Sequence, residues 1–90
     1  MSENNLNIEV IYAQSRRQFV TKVTLDEGST FGDAVRKSNV LEFFPELVYE
    51  NLKIGSYGKI RKLDDTLTRF DRVEIYRPVV ADIRNVSRRR

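Results

Sequence analysis

Leu6, Ile8, Val10 and Tyr12 alternate with Asn7, Glu9, Ile11 and Ala13, the period of two that sets one face of a strand into a core. The alternation predicts a strand over Leu6–Ala13. Phe19, Thr21, Val23 and Leu25 alternate with Gln18, Val20, Lys22 and Thr24 in the same way, and the polar Gln14-Ser15-Arg16-Arg17 between the two runs predicts a hairpin. Pairing Ala13 with Gln18 places Tyr12 opposite Phe19, Val10 opposite Thr21 and Ile8 opposite Val23, so both apolar sets fall on one face. The same register sets Glu9 against Lys22 and Ile11 against Val20 on the other face. Ile11 and Val20 there form a cross-strand β-branched pair that stabilises the sheet; left in solvent, the pair is also the start of a docking patch.

The period then changes. After the turn Asp26-Glu27-Gly28, Thr30 is placed to cap a helix with Asp33 three residues on. Phe31, Ala34, Val35 and Ser38 share one helical face, and Asn39 can end the helix in a left-handed conformation. A helix from Phe31 to Ser38 is expected. Val40 to Leu47 is apolar without a clean period, and Pro45 disfavours helix at Phe44. A second short helical turn that buries Leu41, Phe44 and Leu47 is expected. Lys53–Tyr57 reads as a strand and Lys59–Lys62 as a shorter one returning from it. Gly55-Ser56-Tyr57-Gly58 has the bare spacing of the GxxG loop that clamps nucleotide backbones. That loop joins two helices, whereas this one lies on or between strands, and a glycine-relieved bend is the expected reading.

Leu63 and Leu67 anchor a polar turn, and Phe70-Asp71 forms another. Val73 and Ile75 then alternate with Arg72, Glu74 and Tyr76 as a last strand, which Pro78 stops by removing an amide donor. Val79–Ile83 is a moderately apolar extension, and Asn85–Arg90 is expected to fray. The layout predicts one α+β β-grasp domain over residues 6–84, between a disordered N-terminus at 1–5 and a flexible basic tail at 85–90. It has a mixed sheet of four to five strands packed on one main helix plus a short helical turn. The first and last strands lie side by side and parallel at its centre.

Composition narrows the function. Ninety residues bury only a little over 60% of the unfolded surface, which leaves little room for a deep active site. No apolar run reaches the roughly 18 residues that span a bilayer, and a cytoplasmic protein is expected. The net charge of +3 resides in the tail: residues 1–83 carry 12 Lys/Arg against 13 Asp/Glu, while Arg84, Arg88, Arg89 and Arg90 add four positive charges. Those arginines could meet phosphate or anionic lipid, but the slightly acidic domain ahead of them makes a solvated terminus or a protein contact the plainer reading. With no cysteine and no histidine, the commonest nucleophiles, neutral-pH bases and zinc sites are missing. Asp26-Glu27 and Asp64-Asp65 pair carboxylates, yet both pairs sit in turns without a third catalytic group. A non-enzymatic protein with no cofactor and no metal is expected.

Certain words in this order resemble the RnfH family of bacterial ubiquitin-like proteins. They are Phe43-Phe44-Pro45-Glu46, Lys53-Ile54-Gly55-Ser56-Tyr57-Gly58, Leu63-Asp64, and Asp71-Arg72-Val73-Glu74-Ile75-Tyr76-Arg77-Pro78 followed by Ala81-Asp82. The likeness covers residues 6 to 84. It implies a ubiquitin-like fold related to the sulfur carriers of thiamine and molybdopterin synthesis, in a family linked by gene neighbourhood to Rnf-type electron-transport complexes. A toxin-like or translation-linked role, with RNA or ribosome contact through the tail, is the alternative. Sulfur carriage needs a C-terminal Gly-Gly, whereas this sequence reads Val86-Ser87-Arg88-Arg89-Arg90, so it is the least expected role. Phe70 stands where family members commonly carry glycine, and a left-handed turn there would be costly.

These readings meet in an expected protein-docking surface on the outer sheet face. Ile11, Val20 and Tyr76 form its centre, ringed by Glu9, Lys22 and Glu74. Arg77 and Pro78 are secondary candidates that would steer the tail.

Overall fold

The computed structural model describes residues 5–13 and 18–77. The expected disordered N-terminus up to Asn4, the Gln14–Arg17 loop, Pro78, the Val79–Ile83 extension and the tail with Arg84, Arg88, Arg89 and Arg90 lie outside the described residues.

The first hairpin forms in the expected register. β1 (Asn5–Ala13) and β2 (Gln18–Asp26) pair antiparallel residue for residue, from Ala13 opposite Gln18 to Asn5 opposite Asp26. Asn5, expected in the N-terminal segment, is thus the first residue of the sheet. Helix α1 (Phe31–Ser38) opens with a reciprocal cap: the Asp33 amide donates to Thr30 Oγ1 at 3.1 Å, and the Thr30 amide donates to Asp33 Oδ2 at 3.0 Å. This satisfies two backbone donors that a helix start would leave unpaired. Two more are met from across the fold, because the Phe31 and Gly32 amides donate to the carbonyls of Asp65 and Leu63 at 3.0 and 2.7 Å. The Leu63–Leu67 segment is therefore a strap over the helix start, with Leu67 buried beneath it.

Asn39 ends α1 at φ 61°, the left-handed conformation expected of it. That reversal starts α2 (Val40–Phe43) at once, and the Ser38 hydroxyl bridges the junction by donating to the Val35 carbonyl at 2.7 Å and accepting from the Val40 amide at 3.2 Å. The sharp turn aims Val40 into the core, while Leu41 and Phe44 stay partly buried at its edge. Of the three residues expected to be buried here, Leu47 is the one fully enclosed. A 3-10 turn at Tyr49–Asn51, which has no periodic signature, leads into β3 (Lys53–Ser56), β4 (Lys59–Arg61) and, after two turns, β5 (Val73–Tyr76).

The five strands form one mixed sheet in the order β2-β1-β5-β3-β4. β5 is central: it runs parallel to β1, with Val10 beside Val73 and Tyr12 beside Ile75, and antiparallel to β3, with Ile54 beside Ile75. The inner face carries Ile8, Val10, Tyr12, Ile54, Val73 and Ile75, packed against Phe31, Ala34 and Val35 of α1 and against Val40. This is the α+β, ubiquitin-like β-grasp arrangement. Among the described residues no helix is long and apolar enough to cross a membrane.

Ile75 touches the pairing on both sides of the central strand, so Ile75→Ala is expected to cost about 2–5 kcal/mol. Denaturant titration should show this as a lower midpoint with an unchanged slope, and a loss below about 1 kcal/mol would contradict the central role given to β5.

Candidate functional site

The outer face is set by the three strand registers together. Val20 lies opposite Ile11, Ile11 beside Glu74, Glu74 beside Gly55, and Gly55 opposite Ile60, so one row crosses all five strands. Glu74 is the only polar side chain in that row. Val20 and Ile60 at its two ends are 48% and 70% exposed, while Ile11 is half-buried between them. Ile60 extends the patch beyond the pair that the first hairpin predicts. Its signal is the phase of Lys59-Ile60-Arg61 counted back across a two-residue turn, and that phase becomes readable only once Tyr57-Gly58 is known to be the turn.

Glu74, expected on the charged rim, sits instead at the centre of the face, because β5 is the central strand. Its carboxylate accepts four hydrogen bonds: from the Tyr57 and Gly58 amides at 3.0 Å each, from Arg72 Nε at 2.7 Å and from the Tyr76 hydroxyl at 3.1 Å. Desolvation opposes its charge, yet the Gly58 amide, Arg72 and Tyr76 outweigh that effect and hold the carboxyl below its usual range. The same contacts act on the partners. Burial and then the bond to Glu74 raise the Tyr76 hydroxyl, and the bond to Glu74 raises the Arg72 guanidinium.

The two amides belong to a strained turn. Tyr57 and Gly58 connect β3 to β4 with φ of 51° and 85°, the pair of positive angles that tight hairpin turns require. Glycine or asparagine adopts this conformation at less cost than tyrosine. Glu74 holds the turn through its amides, and Arg72 lies 4.4 Å from the Tyr57 ring centroid. Ser56, buried behind the turn, donates to Asp71 Oδ1 at 3.0 Å and accepts from the Arg72 amide at 3.2 Å, tying the hairpin to the start of β5. The GxxG spacing is therefore a hairpin whose amides already face a carboxylate. A phosphate would meet negative charge there.

Tyr76 points outward, as its phase requires, but its ring folds down over Gly55. A Cβ at that position would collide with the Tyr76 hydroxyl and with the Lys59 carbonyl. Gly55 is thus required by close approach, and half-buried Tyr76 acts as a cover for the sheet as much as a surface group. Glu9 and Lys22 face each other across β1 and β2, although neither takes part in the three ion pairs found among the described residues. Beside them an open concavity of ≈ 410 Å³ lies between exposed Tyr57 and Phe70, with Arg72 in its wall. Arg77 is exposed at the end of β5.

Of the paired acids, Asp65 plays a structural part. Asp65 accepts from the Lys62 amide at 2.8 Å and from Arg61 Nε at 3.2 Å, which hold its carboxyl below the usual range, the amide bond contributing most. Among the described residues no three metal-ligating side chains converge.

Residues 6–90 match the family described as RnfH family Ubiquitin. The chain belongs to the RnfH family. Protein RnfH of Yersinia pestis (strain Pestoides F) is 44% identical over 86 residues, covering 96% of this chain and 92% of that protein. Protein RnfH of Yersinia pseudotuberculosis serotype O:3 (strain YPIII) has the same identity and coverage. A relative from Chromobacterium violaceum is 47% identical over 85 residues, covering 94% of this chain and 85% of its own length. Against the RnfH-family background, the left-handed turn feared at Phe70 does not occur. Among the described residues the non-glycine positive φ angles are those of Asn39 and Tyr57. Asp71 Oδ2 closes the Phe70 turn instead, accepting from the Thr68 amide at 2.9 Å and from its hydroxyl at 3.2 Å. Phe70 is left 77% exposed.

Glu74→Gln keeps the shape but removes the charge that holds four donors, and is expected to cost about 1–3 kcal/mol at pH 7. Because the folded carboxyl ionises more readily than its unfolded value of about 4.3, this contribution is complete well above that pH. It is lost as pH falls through the lower folded value. The gap in stability between the parent and Glu74→Gln should therefore narrow on acidification below about pH 4.5. Urea titrations at several pH values check this, and a gap that widens in acid would contradict it.

Proposed function

We propose that this RnfH-family chain is a non-enzymatic protein-interaction module that docks a partner protein on its outer sheet face. The observation that carries the reading is the row from Val20 through Ile11 to Ile60, apolar and open at both ends, with its one carboxylate already saturated by internal donors. A partner covering that row would desolvate apolar surface without stranding a charge, the combination that favours a docking centre. Glu9 and Lys22 would supply the polar rim, and Arg77 borders the face at the end of β5. Two features support a role without catalysis: the sequence has neither histidine nor cysteine, and Asp65 of its acid pairs is committed to a turn.

The RnfH resemblance supports one class of partner. We assign the module an accessory, cytoplasmic role to Rnf-type electron-transport complexes, on the strength of the gene-neighbourhood link that the family carries and of relatives named Protein RnfH.

Val20→Glu and Ile60→Glu test the face without touching the Glu74 network. Each is expected to cost no more than about 1 kcal/mol of stability, Val20→Glu the more because it breaks the pair with Ile11, and to weaken capture of the parent's partner by about tenfold or more. Affinity capture with identification by mass spectrometry, backed by thermal melts, provides the measurement. Capture unchanged in both variants would overturn the reading. Tyr76→Ala is unsuited to this test because it uncovers Gly55 and releases Glu74.

A further inference from the structure

The sheet has two edges of very different character. β4 is three residues long and carries Lys59 and Arg61, with Arg61 paired to Asp65 at 3.2 Å. A short, charged edge is the usual protection against unwanted strand pairing. β2 has little of that protection. It runs for nine residues in unbroken register with β1, without bulge or proline, and Lys22 is the only charge between its ends. Among the described residues β2 pairs with β1 alone. Half of its backbone N–H and C=O groups therefore face away from the sheet.

The packing beneath this edge is incomplete. Ile8, Val10 and Tyr12 of β1 are fully buried, and Val23 of β2 is buried beside them, yet Phe19, Thr21 and Leu25 on the same inner face of β2 are only partly buried. A strand laid beside β2 would find free backbone partners and, on its inner side, apolar neighbours with surface still to bury.

We propose that the free edge of β2 is a strand-addition site for an extended protein segment that carries apolar side chains at alternate positions and an acidic side chain between them. This rests on the reading of the chain as a protein-interaction module and uses the sheet edge that borders the outer face, Lys22 being common to that edge and to the rim of the face. Charge selects the occupant. Two copies pairing antiparallel along the full strand, with both helices on one side, would place Lys22 against Lys22 at the midpoint, which is unfavourable. An acidic residue opposite Lys22 turns the same position into an attraction. Lys22 is exposed and belongs to none of the ion pairs among the described residues, so its charge is available.

The test uses the full chain, labelled for NMR, and a capped nonapeptide in which valine and isoleucine alternate with threonine and a central aspartate. Binding should slow amide exchange at every second residue of β2 by about tenfold or more at saturation. Lys22→Glu should weaken binding by about fivefold to tenfold and transfer the preference to a counterpart peptide with central lysine. Thr21→Lys, which points a charge into the inner layer at the edge, should abolish binding while the folded spectrum persists. Lack of binding at millimolar peptide, shifts centred on Ile11 and Ile60 without protection in β2, or self-association through β2 in place of peptide binding would each overturn the proposal. If the peptide fails while Val20→Glu and Ile60→Glu still abolish partner capture, strand addition falls and the outer-face reading stands. If the peptide binds and those variants capture normally, the reverse holds.

Discussion

The parallel pairing of β1 with β5 is the contact on which the other layers depend. It joins the two ends of the described chain, setting Val10 beside Val73 and Tyr12 beside Ile75, and it makes β5 the one strand with neighbours from both halves of the fold. Without it the β1–β2 hairpin with α1 and the β3–β4 hairpin would be two fragments, each with an uncovered apolar face. A two-stranded unit of that kind is marginal in water. Pairing through β5 merges their apolar faces into one core over α1, and it also lines up the outer row from Val20 to Ile60.

The centrality of β5 explains why a carboxylate can stand in the middle of that row. A glutamate on an edge strand would be solvated by water. On the central strand Glu74 is partly desolvated, and its charge persists because the hairpin turn, Arg72 and Tyr76 supply donors. The arrangement works in both directions: the turn satisfies Glu74, and Glu74 holds Tyr57 in a conformation that tyrosine rarely adopts. The hairpin is thereby fixed to the sheet face through its tip as well as through its strands.

Local periodicity made the first hairpin, its register, the bounds and caps of α1 and the phase of β5 legible, because each depends on neighbours within a few residues or on a single opposing strand. The strap of Leu63–Leu67 on the start of α1, the burial of Val40 and the position of Glu74 depend on contacts between distant segments, and no spacing announces them. The outer face was half legible for the same reason. Ile11 and Val20 follow from one hairpin, whereas Ile60 needs the whole strand order, and the Tyr76 ring looks free until Gly55 is placed beneath it. Phe70 shows the opposite error. A family glycine pointed to a left-handed turn, but Asp71 and Thr68 close that turn by side-chain hydrogen bonds.

The strand order also fixes when the molecule can become whole. A ribosome makes β1 before the other described strands and β5 after them, at about 5–20 residues per second, so β1 waits several seconds for the neighbour that covers its second edge. Until Val73–Tyr76 are available, one side of β1 lacks the partner it has in the sheet. A domain of this size could be built from local contacts that close as they appear. This one defers its central contact to the last of its described strands, so the sheet closes only after every other described element has been made.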